Sequence, residues 1–65
     1  MQKYIEKMKT EKTELDGRIR QAEKVISNPP YDSDANGIDL LKEQVRAMRV
    51  YQEILDQRIK YEVSK

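Results

Sequence analysis

Three residues in the carboxyl-terminal half have side chains that could bind a nucleotide, and they are evenly spaced. Gln44, Tyr51 and Arg58 follow one another at intervals of seven residues. In an α-helix this spacing places them along one face, about 10 Å from one to the next. A guanidinium can grip a phosphate, a tyrosine ring can stack on a base, and an amide can recognise a base edge. The pattern therefore predicts a site for a small anionic nucleotide on that face.

The same residues also fit a surface through which copies of the chain associate. Tyrosine and arginine are common at protein interfaces, and polar residues in a helical seam set its register. Residue types and spacing favour this association seam and leave the ligand site open beside it. Glu62, four residues after Arg58, could also neutralise the arginine within the helix.

The composition excludes most catalytic chemistry. The 65 residues include 13 Lys+Arg and 12 Asp+Glu but no His and no Cys. A thiolate nucleophile, an imidazole base, a structural zinc site and a disulfide are therefore all absent. The carboxylates have no partner constellation, and residues 32–36 lack the later ligands of a calcium loop. We expect no enzyme activity, no cofactor and no metal.

Charge and hydropathy narrow the choice of partners. The net charge is +1, which gives no strong attraction to nucleic acid or to an anionic membrane. No apolar run is long enough for a membrane span or for the core of a signal peptide. We therefore expect a cytoplasmic protein that does not enter membranes, and nucleic acid is an unfavoured partner.

A proline pair divides the chain into two segments with helical periodicity. Pro29 and Pro30 are incompatible with a continuous helix, and turn-forming residues surround them. The sequence predicts helices at about 2–27 and 37–63, joined by a loop at 28–36, as a single helix-loop-helix domain over 1–65.

Each segment carries a seam whose members step by three and four residues. The seam of the first segment is Met1, Ile5, Met8, Lys12, Leu15, Ile19, Ala22 and Ile26. The seam of the second is Leu41, Val45, Met48, Gln52, Leu55 and Ile59. Lys12 and Gln52 are the polar members. Two such seams predict an all-α fold, an antiparallel two-helix hairpin whose helices pack seam to seam.

The second segment carries a further stripe, about a quarter-turn from its seam. We call it the second stripe: Leu40, Gln44, Ala47, Tyr51, Ile54, Arg58 and Tyr61. One partner helix cannot cover both stripes, and a lone hairpin without disulfide or metal buries little apolar surface. We expect the hairpin to self-associate into a helical bundle, as a dimer or tetramer. The expected interface is Leu40, Ala47, Tyr51, Ile54 and Tyr61.

The loop leaves two questions open. Ser33, Asp34 and Asn36 are all residue types that cap the start of a helix. Tyr31, beside the prolines, is expected to pack over the end of the hairpin. Its alternative role is an exposed anchor for a partner.

Most of the chain contributes to a resemblance. The residues are Glu11-Lys12-Thr13-Glu14-Leu15, Leu41, Gln44, Ala47-Met48, Tyr51, Leu55 and Arg58-Ile59. Their pattern resembles that of short helical accessory proteins of tailed bacteriophages, especially those of Gram-positive hosts. The resemblance implies a phage product acting in the host cytoplasm. Small phage proteins of this shape include sponges, which are helical oligomers that trap the cyclic nucleotide signals of host defence.

Two classes of function follow. The first is a non-enzymatic, phage-type anti-defence protein, in which an oligomeric hairpin sequesters a cyclic nucleotide immune signal. The site would be shared between protomers. Arg58 would contact the phosphate, Tyr51 would stack on the base and Gln44 would read its polar edges. The alternative is a hairpin that binds and inhibits a host defence protein or nuclease, or a structural phage accessory protein.

Overall fold

The computed structural model describes residues 2–65, and these residues form two α-helices. Helix α1 is Gln2–Ser27 and helix α2 is Ala35–Val63. The helices lie side by side in opposite directions, which gives an elongated body of 48 × 15 × 13 Å. The predicted all-α hairpin is confirmed at this level. Met1, the expected first member of the α1 seam, lies outside the described residues. Over the described part of the chain, neither helix is long and apolar enough to cross a bilayer.

The core is a single row of side chains between the helices. Its buried members are Met8, Leu15, Ile19, Val45 and Leu55. Partly buried residues pack against this row: Ile5, Ala22, Ile26, Met48 and Ile59. All of them belong to the two predicted seams, because steps of three and four keep one face of each helix towards its neighbour. The core is one residue layer thick along its whole length.

Helix α2 begins at Ala35, two residues before the expected start. The reason is its cap. Asp34 has an extended backbone, and its Oδ1 accepts a hydrogen bond of 2.7 Å from the N–H of Gly37. Of the three candidate caps, Asp34 is thus the one in use, since an N-cap oxygen accepts from the second or third residue of the helix.

Tyr31 does not pack over the end of the hairpin, so that expectation is wrong. Its side chain is fully exposed, at 106% of the reference area. Ser33 binds back to the Pro30 carbonyl through its N–H at 3.0 Å and its hydroxyl at 2.7 Å. Residues 30–33 therefore close a tight turn on themselves, and Tyr31 stands at the tip of that turn. Its role as an anchor for a partner stays a prediction.

Candidate functional site

The second stripe of α2 lies outside the core, and all of its members are exposed. Leu40 is 71% exposed, Ile54 47% and Tyr61 62%. Helix α1 packs against the seam face of α2 and leaves these side chains unburied. A single hairpin thus leaves an apolar stripe in water along most of one helix, which is unusual for a stable monomer.

Two of the three predicted ligand residues reach from the second stripe to α1. Tyr51 donates its hydroxyl hydrogen to a carboxylate oxygen of Glu11, and Arg58 donates a guanidinium hydrogen to the hydroxyl of Tyr4. The Arg58 guanidinium also lies over the Tyr4 ring, 5.6 Å from its centroid, which is a cation–π contact. We call Tyr4, Glu11, Tyr51 and Arg58 the tyrosine flank.

Gln44 lies on the same face of α2, seven residues before Tyr51. The contacts of the tyrosine flank join residues spaced by seven on both helices, since position 4 meets 58 and position 11 meets 51. One more step of seven on each helix brings Arg18 to the level of Gln44. Both side chains are exposed. Arg18 is also a cation without an ion-pair partner among the residues that the structure describes.

Glu11 changes the electrostatics expected at Tyr51. The hydrogen bond to Glu11, followed by desolvation, raises the pKa of the Tyr51 phenol. The phenol is therefore neutral at physiological pH, and a carboxylate lies beside it. An anionic ligand would be repelled there, so its phosphate belongs at the Arg58 end of the flank rather than beside Tyr51.

Arg58 keeps its positive charge uncompensated. Glu62, which could have neutralised it, pairs instead with Lys65 at 3.6 Å. The partners of Arg58 are a neutral hydroxyl and an aromatic ring of Tyr4. Within the described residues, Arg58 forms no ion pair with a carboxylate. It can therefore still bind a phosphate with charge-assisted hydrogen bonds.

The opposite edge of the hairpin is held by paired charges. Lys12 binds Asp56 at 2.6 Å, Arg49 pairs with Glu23, and the Gln52 amide donates to Asp16 at 3.4 Å. The two polar members of the seams, Lys12 and Gln52, both belong to this edge. We call it the ion-pair flank: Lys12, Asp16, Glu23, Arg49, Gln52 and Asp56.

Each of the three carboxylates of the ion-pair flank is paired with at least one cation. Hydrogen bonds from Lys12 and then from Lys60 lower the pKa of Asp56, because both favour the charged carboxylate. A shallow groove lined by Lys9 and Lys12 runs along this flank, and Lys12 is already bound to a carboxylate. No group of three or more carboxylates in the described part of the chain comes together as a metal site.

Sequence reasoning missed Tyr4, Glu11 and Arg18 as neighbours of the site. Their own spacing of seven residues was a usable signal, since it matches the spacing of Arg58, Tyr51 and Gln44 in reverse order. What the pattern could not supply was the offset between the helices, which decides which residues meet.

A sequence model of one protein family, described as Sequestin, matches residues 2–61. The match spans α1, the loop and nearly all of α2, and it includes the whole second stripe. No curated protein matches the chain, and no solved structure does.

Proposed function

The chain belongs to the Sequestin family, and from this premise we propose that it sequesters a small anionic nucleotide and holds it without turnover. The family name is consistent with sequestration. The observation that carries the proposal is Arg58, a guanidinium without a carboxylate partner among the described residues, beside tyrosine rings on an uncovered face. Such a group favours a phosphate over any ligand without negative charge.

The proposed binding mode divides the ligand between three side chains from two copies, because Arg58 and Gln44 of one helix are 14 residues, or about 21 Å, apart. Arg58 binds a phosphate with two parallel hydrogen bonds. Tyr51 offers its ring to a base while its hydroxyl stays bound to Glu11, which fixes the orientation of the ring. Gln44 reads polar edges, since its amide can both donate and accept. In this proposal the three side chains serve recognition only, with no nucleophilic or acid–base role, and binding is not followed by reaction.

The proposal includes self-association through the second stripe. In a single hairpin these side chains are exposed to solvent, where stacking and ion pairing contribute little to the free energy of ligand binding. A second copy that covers Leu40, Ala47, Tyr51, Ile54 and Tyr61 would remove water from the stripe. The thin core of the hairpin supports this step, because a chain of this size rarely buries enough apolar surface alone.

The proposed ligand is a cyclic nucleotide signal of a host defence system, and the protein is a phage product in the host cytoplasm. The resemblance to phage accessory proteins supports the setting, and the sequestering family supports the mode of action. A cyclic ligand also suits a small exposed site, because a rigid molecule loses little conformational entropy when it binds.

Titration calorimetry tests the proposal on purified protein whose native mass has been measured. The panel contains cyclic dinucleotides, cyclic trinucleotides and cyclic ADP-ribose isomers. Binding of one member, recovered intact by mass spectrometry, is the expected result. Arg58→Ala should weaken that binding about thirtyfold, since a charge-assisted contact contributes about 2 kcal/mol. Binding that survives Arg58→Ala in an intact oligomer would remove the site.

Arg46→Ala is the matched control for that experiment. Arg46 is an exposed arginine of the same helix, outside the second stripe, and pairs with Glu43 at 3.6 Å. Removing it changes the net charge by the same amount as Arg58→Ala. The control should bind the ligand as tightly as the unmodified chain. If both variants lost affinity equally, the loss would reflect the change in net charge and not a lost contact.

One observation favours the second candidate function, inhibition of a host protein. Tyr31 stands fully exposed at the tip of the loop, where an aromatic ring serves well as an anchor in a partner's pocket. If no member of the panel binds, this reading becomes the better one. It then predicts that Tyr31→Ala releases a defence protein or nuclease which the unmodified chain inhibits.

A further inference from the structure

We propose that two copies pair through their second stripes in antiparallel fashion, about a two-fold axis that passes Tyr51. The inference rests on the self-association included in the proposed function and specifies its geometry. It also specifies which residues of the other subunit complete each ligand site.

The order of side chains along the second stripe points to this register. With the axis at Tyr51, Ala47 lies opposite the partner's Ile54, so a small side chain meets a large one. Leu40 lies opposite the partner's Tyr61, and the two Tyr51 rings flank the axis. In each of these pairs an apolar side chain packs against another apolar side chain. Where a small side chain lies opposite a large one, the side chains of the two helices can interdigitate. In an antiparallel alignment, residue numbers rise along one helix as they fall along the other. The two residue numbers of each pair therefore add up to nearly the same total, as they do here.

Charge separates this register from the parallel one. A parallel pair would place Arg58 directly against the partner's Arg58 in a desolvated seam, where like charges repel strongly. The antiparallel pair places Arg58 opposite the partner's Gln44, whose amide oxygen accepts its hydrogen bonds. The two arginines are then about 21 Å apart, the rise of 14 helical residues.

The same register brings a second guanidinium to each site. Arg18 lies at the level of Gln44 in its own hairpin, by the seven-residue steps of the tyrosine flank. The partner's Arg58 would therefore approach both Gln44 and Arg18. Arg18 belongs to α1 rather than to the second stripe and is exposed, so water screens its repulsion of the partner's Arg58 more than it would screen two arginines inside the seam. A phosphate between the two guanidiniums would replace that repulsion with attraction. The site thus selects a phosphate-bearing ligand that bridges the subunits, with two equivalent sites in each dimer.

Glu11 opposes this pairing to some extent, because its two copies would lie near the axis and repel each other. It is bound to Tyr51, so both copies of Glu11 lie near the axis, about 10 Å along the helix from either site. The phosphates therefore bind away from the carboxylates. The Glu11 carboxylates and the Arg58 guanidiniums therefore lie at different positions along the interface.

Cysteine cross-linking tests the register without any ligand. The chain has no cysteine, so each introduced one reports alone. A mixture of Ala47→Cys and Ile54→Cys chains, refolded together and oxidised, should give a mixed disulfide dimer. Either variant alone should not, because its two copies lie roughly 9–12 Å apart along the helix, beyond the reach of a disulfide. Cross-linking of each variant with itself would establish the parallel register and overturn the proposal. So would the absence of any cross-link.

A charge substitution gives a second test, in which the two registers predict opposite signs. Gln44→Glu places a carboxylate opposite the partner's Arg58 in the antiparallel dimer, so the dimer dissociation constant should fall about fivefold or more for two such pairs. In a parallel dimer the same substitution sets carboxylate against carboxylate, and the constant should rise. The gain should vanish in an Arg58→Ala background, which controls for attraction to Arg18 within one hairpin. A gain that persists there would overturn the pairing of positions 44 and 58.

These tests fail independently of the proposed function. If the mixed disulfide forms but no nucleotide binds, the register stands and the ligand assignment fails. If a nucleotide binds but positions 47 and 54 do not cross-link, sequestration stands and this register falls.

Discussion

The two edges of the hairpin hold the helices together with different chemistry. On the ion-pair flank, Lys12 meets Asp56 and Arg49 meets Glu23, so positive charge is matched by negative charge. On the tyrosine flank, a phenol binds a carboxylate and a guanidinium binds a phenol. Both edges fix the offset of the helices. Among the described residues that define the two flanks, Arg58 of the tyrosine flank is the cation without a carboxylate partner. The tyrosine flank also shares Tyr51 and Arg58 with the uncovered second stripe.

The comparison teaches that cross-helix contacts are not equivalent as evidence of function. An exposed ion pair satisfies both of its partners and leaves little for a ligand to gain. A hydrogen bond between a guanidinium and a neutral hydroxyl holds the arginine in place without using its charge. We therefore assign a structural role to the ion-pair flank and propose the binding role for the tyrosine flank.

Tyr51→Glu is expected to have the largest effect on this comparison. It places a carboxylate beside Glu11 and in the middle of the second stripe, so copies should separate. Sedimentation should show a monomer at concentrations where the unmodified chain is a dimer or tetramer. Gln57→Glu introduces the same side chain at an exposed position of α2 outside the second stripe and both flanks, and should keep the mass. An unchanged mass for Tyr51→Glu would move the interface elsewhere.

Gly17→Ala sharpens the comparison by changing stability without touching either flank. Gly17 is exposed within α1, and an added Cβ would have nothing within 4 Å. Alanine should raise the free energy of unfolding by about 1 kcal/mol through helix propensity, with ligand affinity unchanged. Denaturant unfolding at a fixed protein concentration measures it.

Gly37→Ala is the contrasting variant. There the new Cβ would lie 3.0 Å from the Asp34 Oδ1 that caps α2, so alanine should give no comparable gain. A stabilisation equal to that of Gly17→Ala would contradict the role assigned to this cap.

Lys12→Met should have a smaller effect and should separate fold from function. It removes the cross-helix partner of Asp56, but both side chains are more than a third exposed, and exposed pairs contribute little. We expect a change in unfolding smaller than that of Gly17→Ala. Ligand affinity, measured by the same calorimetry as for Arg58→Ala, should stay the same. A loss of binding as large as that of Arg58→Ala would abolish the distinction between the flanks.

The smallest expected effect is a difference in the pH ranges in which the flanks weaken. Because hydrogen bonds from Lys12 and Lys60 lower the pKa of Asp56, its contribution to stability is complete above its ordinary value. It is lost as the pH falls below about 4. The pKa of Tyr51 is raised instead, so its contribution is lost only above about pH 10.

Asp56→Asn and Tyr51→Phe test that difference. In unfolding curves measured across pH, Asp56→Asn should flatten the acid limb and leave the alkaline limb alone. Tyr51→Phe should do the reverse. If both variants altered the same limb, the assignment of separate titrating groups to the two flanks would be incorrect.

The fold was largely predictable from the sequence, and the physical reason is its low complexity. Steps of three and four place each seam, and two seams with one proline pair leave few arrangements. The core residues Leu15 and Leu55 follow directly from that pattern. The start of α2 does not, because Asp34 was one of three residues able to cap it, and only the local backbone selects among them.

The site was predictable on one helix and not on the other. Gln44, Tyr51 and Arg58 share a face through their spacing alone. Their neighbours Tyr4 and Glu11 depend on the offset between α1 and α2, which the loop and the cap set together. Periodicity within each helix carries no information on that offset. For the same reason, Tyr31 was misplaced, since a turn of residues 30–33 is decided by local hydrogen bonds and not by any repeat.

The core of the hairpin is one layer thick, and among the described residues Leu55 is the one fully buried large side chain. This has a consequence for the cell. If association covers the second stripe, the stability of the chain depends on its own concentration by mass action, as does its melting temperature. Dilute copies would be open to proteases, and copies in an assembly, above all with ligand bound, would be protected. The lifetime of the protein would then be set by how much of its target is present.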